Sequence, residues 1–219
     1  MPSTVTIVAG QRTASFDFTA GSSEVMGVAV NATAQAGALV ATPAIVDVQL
    51  AHGTLMFSEY LEGSSNNKAL ELYNGTAAEV DLTQCEVQLY SNGASSPSAT
   101  LALTGDLQPG STFVLCNTSA SAGILAVCNL RNSSVVNFNG DDSVALVCGG
   151  NNVDVIGQIG TDPGAEWVAN GVSTLNKTLR RKCSVVSGDP DGSNAFDPSA
   201  EWDTQAQDTI DGLGSRNCN

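Results

Sequence analysis

Two glutamates, Glu59 and Glu71, stand inside stretches that otherwise read as β-strands. Strand propensity gives no reason for Glu there, so each needs a partner or a role. The densest supply of positive charge is Lys177-Thr-Leu-Arg-Arg-Lys182, which holds half of the basic residues. On a strand, Lys177, Leu179 and Arg181 would share one face and Thr178, Arg180 and Lys182 the other. One reading pairs Arg180 or Arg181 with Glu59 or Glu71, since a guanidinium fork matches a carboxylate. The other makes the basic run a small anion-binding patch. Paired carboxylates also serve glycoside hydrolysis. Such enzymes need a large cleft lined by aromatic residues, and aromatic residues are only 5% of this chain.

A second group of oxygens lies in Asp189-Pro-Asp-Gly-Ser-Asn-Ala-Phe-Asp197. Asp189, Asp191, Ser193 and Asp197 take the first, third, fifth and ninth places of a loop that could close on calcium. Gly192 stands at the fourth place rather than the sixth, and Ala200 replaces the terminal Glu. Asp-Pro-Asp-Gly is also a plain turn sequence, whose side chains bond nearby backbone N–H groups. Asp141-Asp142 poses the same question. Calcium is the one cofactor the sequence suggests; otherwise none is expected. Nucleophilic hydrolysis lacks its parts: His52 is the single histidine, and no Gly-x-Ser-x-Gly elbow occurs. The expectation is a chain that is not an enzyme.

The six cysteines, Cys85, Cys116, Cys128, Cys148, Cys183 and Cys218, include no Cys-x-x-Cys pair. That spacing disfavours zinc and favours three disulfides in an oxidising compartment. Among the possible connectivities, Cys116–Cys128, Cys148–Cys183 and Cys85–Cys218 are expected. The first closes a short loop, the second joins a strand end to a later strand, and the third ties down the C-terminus. Met1-Pro2-Ser3 opens no signal peptide, so the chain is expected to be an interior piece of a longer exported protein. Asn31, Asn74, Asn117, Asn132 and Asn176 head Asn-x-Ser/Thr triplets, about as many as this composition produces.

These residues need a scaffold of short strands. At 219 residues the chain can bury a substantial core. Acids outnumber Lys plus Arg by 22 to 8, and a net charge of −14 repels phosphate backbones, so direct nucleic-acid binding is not expected. No apolar run approaches the ~18 residues of a membrane span. Strands are predicted at 55–61, 68–74, 85–91, 98–104, 112–116, 142–148 and 152–158, and near 177–182 and 201–203. A helical turn is predicted within 119–130. Asn74-Gly75, Asn92-Gly93, Pro109-Gly110 and Asp191-Gly192 are among the turns that punctuate them. The hexapeptides ending in Trp167 and Trp202, each Asp-Pro-x-Ala-Glu-Trp, read as turns followed by plugs of a sandwich core. The alternative makes the tryptophans a ligand platform.

Residues 1–50 are cysteine-free, with strands expected at 4–8, around Ala14, Phe16 and Phe18, at 25–31 and at 45–50. The run Val5-Thr-Ile-Val-Ala-Gly-Gln-Arg-Thr-Ala-Ser-Phe-Asp-Phe-Thr19 resembles the later strands of bacterial immunoglobulin-like repeats. The region from Thr54 to Cys218 resembles a lamin tail domain of the bacterial secreted type. The resemblance rests on Ser58-Glu-Tyr-Leu-Glu-Gly-Ser-Ser-Asn-Asn-Lys-Ala-Leu-Glu-Leu-Tyr-Asn74, Leu89-Tyr-Ser-Asn-Gly93, Gly140-Asp-Asp-Ser-Val-Ala-Leu146, Asp154-Val-Ile-Gly-Gln-Ile-Gly160 and Thr178-Leu-Arg-Arg181. The stretch from Gly188 to Trp202 completes it. It implies an all-β, immunoglobulin-like β-sandwich without an active site of its own. Such domains accompany nucleases, phosphatases or other surface domains.

The expected chain is thus a partial immunoglobulin-like repeat (1–50) followed by a lamin-tail-like sandwich (51–219). Its expected work is extracellular, at the cell surface or in secreted form: docking or presenting a neighbouring domain, with other domains or surface proteins as partners. The first alternative is an accessory domain that positions substrate for a secreted nuclease or phosphatase. The second is a calcium-dependent adhesion or carbohydrate-binding module.

Overall fold

Alternation of apolar and polar residues organises two sheets that share one core. The computed structural model describes residues 53–218 and, N-terminal to these, the backbone of four short strands. The chain divides into two units, Met1–Leu50 and Ala51–Asn219. In the first, β1 (Ala29–Ala32) pairs antiparallel with β4 (Ala44–Asp47), and β2 (Gln35–Ala36) with β3 (Leu39–Val40). The strands expected at 4–8 and around Phe16 lie outside the described residues, so the likeness to an immunoglobulin-like repeat rests on sequence alone.

The second unit begins with β5 (Leu55–Glu62) and β6 (Lys68–Asn74), followed by β7 (Val80–Asp81), a 3-10 turn at Leu82–Gln84 and β8 (Cys85–Tyr90). Next come β9 (Ala99–Ala102), β10 (Asp106–Leu107), β11 (Thr112–Cys116), α1 (Ala122–Val127), β12 (Leu130–Arg131), β13 (Ser143–Cys148) and β14 (Asn151–Ile156). The chain closes with β15 (Val168–Ala169), β16 (Val172–Ser173), β17 (Thr178–Arg181), α2 (Pro198–Glu201) and β18 (Trp202–Gln205). The larger sheet has the order β12-β11-β6-β5-β17-β18, and the smaller has β14-β13-β8-β9. Only the β11–β12 pair of these two sheets is parallel. The fold is an all-β sandwich.

Phe57, Tyr60, Leu70, Leu72, Leu179 and Trp202 of the larger sheet meet Val87, Leu89, Val144, Leu146 and Ile156 of the smaller in one buried cluster. Tyr60 stacks on Phe138 with ring centroids 4.7 Å apart. Outside the larger sheet, Leu61, Ala69, Val114 and Cys116 form a second cluster under Ile124 of α1 and Leu213 near the C-terminus. β5, β6 and β11 therefore bury both faces, which is why 68–74 shows Leu70 and Leu72 on one side and Ala69 and Glu71 on the other. The β15–β16 hairpin turns through Asn170 (φ 48°) and Gly171 (φ 83°), the left-handed pair that a two-residue hairpin loop requires.

The register corrects two of the three expected disulfides. Cys116–Cys128 forms as expected, 12 residues apart. Cys148 bonds Cys85 rather than Cys183, because the β8–β13 register sets Cys85 directly opposite Cys148. Cys183, just beyond β17, bonds Cys218 instead. Two triplet asparagines are structural: Asn74 donates to Ala78 O (2.9 Å) and Leu107 O (2.8 Å), and Asn117 to Val136 O (2.8 Å), both from buried positions.

Candidate functional site

A one-residue irregularity in β5 builds the most unusual polar arrangement of the molecule. The pairing of β5 with β6 shifts between Phe57 and Glu59, leaving Ser58 as the extra residue of a bulge. Phe57 and Tyr60 consequently both enter the core, and Glu59 lands opposite Glu71 on the outer face. Both carboxylates are buried, at 2% and 1% exposure. Ser58 Oγ donates to Glu71 Oε1 at 2.6 Å, and the Gly214 amide donates to Glu71 Oε2 at 2.6 Å. Arg180, in register with Glu59 on β17, donates from Nε to Glu59 Oε2 at 3.2 Å and also pairs with Asp211.

A C-terminal strap, residues 206–218, runs over this face. Gly212 passes so close that a Cβ there would collide with Glu59 Oε2 and Arg180 Nε. Arg216 reaches back to Lys182 O (3.1 Å) and Val185 O (2.7 Å), and its guanidinium lies 4.9 Å from the centre of the Tyr73 ring. The Cys183–Cys218 bond fixes the strap's end. Between strap and sheet lies a cavity of about 260 Å³. Ser58, Glu59 and Glu71 form its buried part, and Asp203, Asp211 and Ser215 its exposed rim.

Burial is the main force on these acids. It pushes the Glu59 carboxyl up to about 7, with the neighbouring Glu71 adding to the rise and Arg180 opposing it. Burial raises Glu71 as well, against the hydrogen bonds from Ser58 and Gly214. A carboxyl raised in the folded state binds its proton more tightly folded than unfolded. Its contribution is therefore full below about pH 4.5 and lost as pH rises through about 7. For Glu59 this is worth about 3 kcal/mol. Urea unfolding should accordingly show stability falling from pH 5 to pH 8, and Glu59→Gln should flatten the part of that slope above pH 6. An unchanged slope in the variant would count against this assignment.

Arg181 does not join the glutamate pair, contrary to one expectation, because consecutive strand residues face opposite ways. It turns inward with Leu179, where Nη1 donates to Asp154 Oδ2 (2.6 Å) and Nη2 pairs with Glu201. Its guanidinium lies 4.8 Å from the Trp202 ring centre, so Trp202 plugs the core beside the ion pair. Glu71 has no arginine in hydrogen-bond contact; its partners are Ser58 and Gly214. Sequence reasoning assigned no role to Asp154, although it carries the same signal as Glu59, an acid inside a strand. Ser58, Gly214 and Arg216 were also missed, and nothing in their local sequence marks them.

The proposed calcium loop uses its oxygens locally. Asp189 Oδ1 accepts the Asp191 amide (2.9 Å), Asp191 Oδ1 accepts the Ser193 amide and hydroxyl (3.0 and 2.6 Å), and Asp197 Oδ1 accepts the Ser199 amide at the start of α2 (2.8 Å). Among the described residues, no three His, Cys, Asp or Glu side chains group as metal ligands. No described helix is long and apolar enough to cross a membrane.

Among known families, the model described as lamin tail domain matches residues 49–160, just over half of the chain. Glu59 and Glu71 lie within the matched span, whereas Arg180 and the strap lie beyond it. No curated protein and no solved structure matches.

Proposed function

Since the chain belongs to the lamin tail domain family, we propose that it is a non-catalytic interaction module of a larger exported protein, docking or presenting a neighbouring domain outside the cell. The family is a non-catalytic, immunoglobulin-like one often used for protein interaction. The observation that carries the reading is the cavity under the strap. It offers an unpaired acceptor, Glu59 Oε1, among fixed donors, and neither an imidazole nor a free thiol lines it. That is equipment for recognition. Ser58, its one buried hydroxyl, is engaged with Glu71. The three disulfides support an oxidising, extracellular location.

The test is association of this chain with the other domains of the exported protein that carries it, followed by biolayer interferometry. Saturable micromolar binding to one of them is expected, as for interfaces between domains that dock and release. Absence of binding to every neighbour, or turnover of a substrate by this chain alone, would overturn the reading. Binding that changes the KM of a neighbouring nuclease or phosphatase would point instead to substrate positioning.

A further inference from the structure

The charges around Glu59 do not balance. Glu59 and Glu71 face each other across β5 and β6, and one guanidinium, Arg180, serves Glu59 while dividing itself with the strap's Asp211. Arg181 points to the other side of the sheet. Arg216 Nη2 donates to the carbonyls of Lys182 and Val185, and its Nη1 faces Met56 Sδ. Asp203 of β18, in register with Arg180, adds a further carboxylate at the rim. Glu71 is satisfied by Ser58 and Gly214, and Glu59 Oε2 by Arg180. Among the carboxylate oxygens of this pair, Glu59 Oε1 alone is buried with no partner, in a side chain 3% exposed that lines the cavity. The buried Nε–H groups of Arg181 and Arg216, whose guanidiniums lie against the Trp202 and Tyr73 rings, are also unpartnered. Leaving a buried acceptor such as Glu59 Oε1 unsatisfied is costly, and more so when it is charged. A ligand that brings both N–H donors and positive charge would recover that loss.

We propose that this cavity binds a primary ammonium group, which donates to Glu59 Oε1 while Glu71 supplies the second negative charge. An anion would meet the four carboxylates of Glu59, Glu71, Asp203 and Asp211, against the guanidiniums of Arg180, Arg181 and Arg216, of which Arg180 and Arg181 are already paired with carboxylates. An arginine fork would need two free oxygens on one carboxylate, and only one is free. An ammonium is a compact donor that needs only that one. The proposal rests on the recognition reading above and names the chemistry recognised: a lysine side chain on a docking partner, or a free small amine. The rim of the cavity at Asp203, Asp211 and Ser215 is exposed.

The experiment titrates the full chain at pH 8 with methylammonium chloride and, separately, with Nα-acetyl-lysine methylamide. Sodium chloride at matched ionic strength is the control, and ¹H–¹⁵N correlation spectra are the readout. Saturable shifts are expected at the amides of Ser58, Glu59 and Gly214. At pH 5.5, where Glu59 holds its proton, affinity should fall by roughly tenfold or more. Glu59→Gln, which removes a buried charge without changing shape, should bind neither probe. Saturation by both probes supports a lysine side chain as the source, and saturation by methylammonium alone a free amine. If neither probe moves these amides beyond the sodium control, or if the variant binds like the wild type, the proposal is wrong. Should the probes fail while a neighbouring domain still binds, the ammonium chemistry falls and the interaction role stands.

Discussion

Asp154→Ala should destabilise the domain by about 3–5 kcal/mol, the expected cost of breaking one side of a buried ion pair. Asp154 is fully buried, and its carboxylate accepts from the Phe57 amide (2.8 Å), the Asp189 amide (2.9 Å) and Arg181. It ties β14 of the smaller sheet to β5 and β17 of the larger, and also holds the loop that follows β17. Without it, Arg181 keeps only Glu201 and the Trp202 ring as strong partners, and two backbone N–H groups lose their acceptor. Burial pushes Asp154 up to about 6 even so, against the pull of Arg181. Its contribution is full below about pH 3.8 and lost as pH rises through about 6, so it steepens the acidic part of the fall that Glu59 extends to about 7. Adding Arg181→Met to the alanine variant should restore part of the loss, because the stranded charge is removed with its partner. Guanidinium chloride titration of the two variants measures this; a single-variant loss below about 1 kcal/mol would exclude a structural role for the pair.

Removing the Cys85–Cys148 bond by double substitution to alanine should cost about 4 kcal/mol, the most of the three bridges. The reason is loop length. This bond closes 63 residues, against 12 for Cys116–Cys128 and 35 for Cys183–Cys218, and restriction of the unfolded chain grows with the logarithm of that number. The short bridge should cost about 3 kcal/mol by the same relation. It also lies in the outer cluster through Cys116, so its loss should loosen α1 against β11. Denaturation midpoints of the two double variants, compared under non-reducing conditions, test the order. The opposite ranking would show that packing around each bridge outweighs its loop.

The long strands were legible because their alternation is set by two buried faces. The stretch 68–74 separates Leu70 and Leu72 from Ala69 and Glu71, and the structure places the two leucines in one cluster and Ala69 in the other. The two-residue strands β7, β10 and β12 carry no period and left no trace. The bulge at Ser58 was equally hidden, since one extra residue changes the phase of a strand without changing its composition. It decides the site nonetheless, by setting Glu59 against Glu71. The Glu59–Arg180 contact could be anticipated from charge scarcity, whereas the choice between Arg180 and Arg181 needed the facing of β17. Two of the three expected disulfides differ for a related reason: spacing suggests which cysteines could meet, and only the register of β8 with β13 says that Cys85 meets Cys148. The strap is polar, glycine-bearing and aperiodic, so its return over the sheet is written in contacts with distant residues such as Lys182 and Glu71.

The C-terminal strap of this oxidised lamin tail sandwich is locked over a cavity that buries Glu59 and Glu71. Proteolytic mass mapping of the protein recovered under oxidising, non-reducing conditions tests that most directly. Three cross-linked peptide pairs are predicted: Cys85 with Cys148, Cys116 with Cys128, and Cys183 with Cys218. Six free thiols, or a peptide joining Cys148 to Cys183, would contradict it.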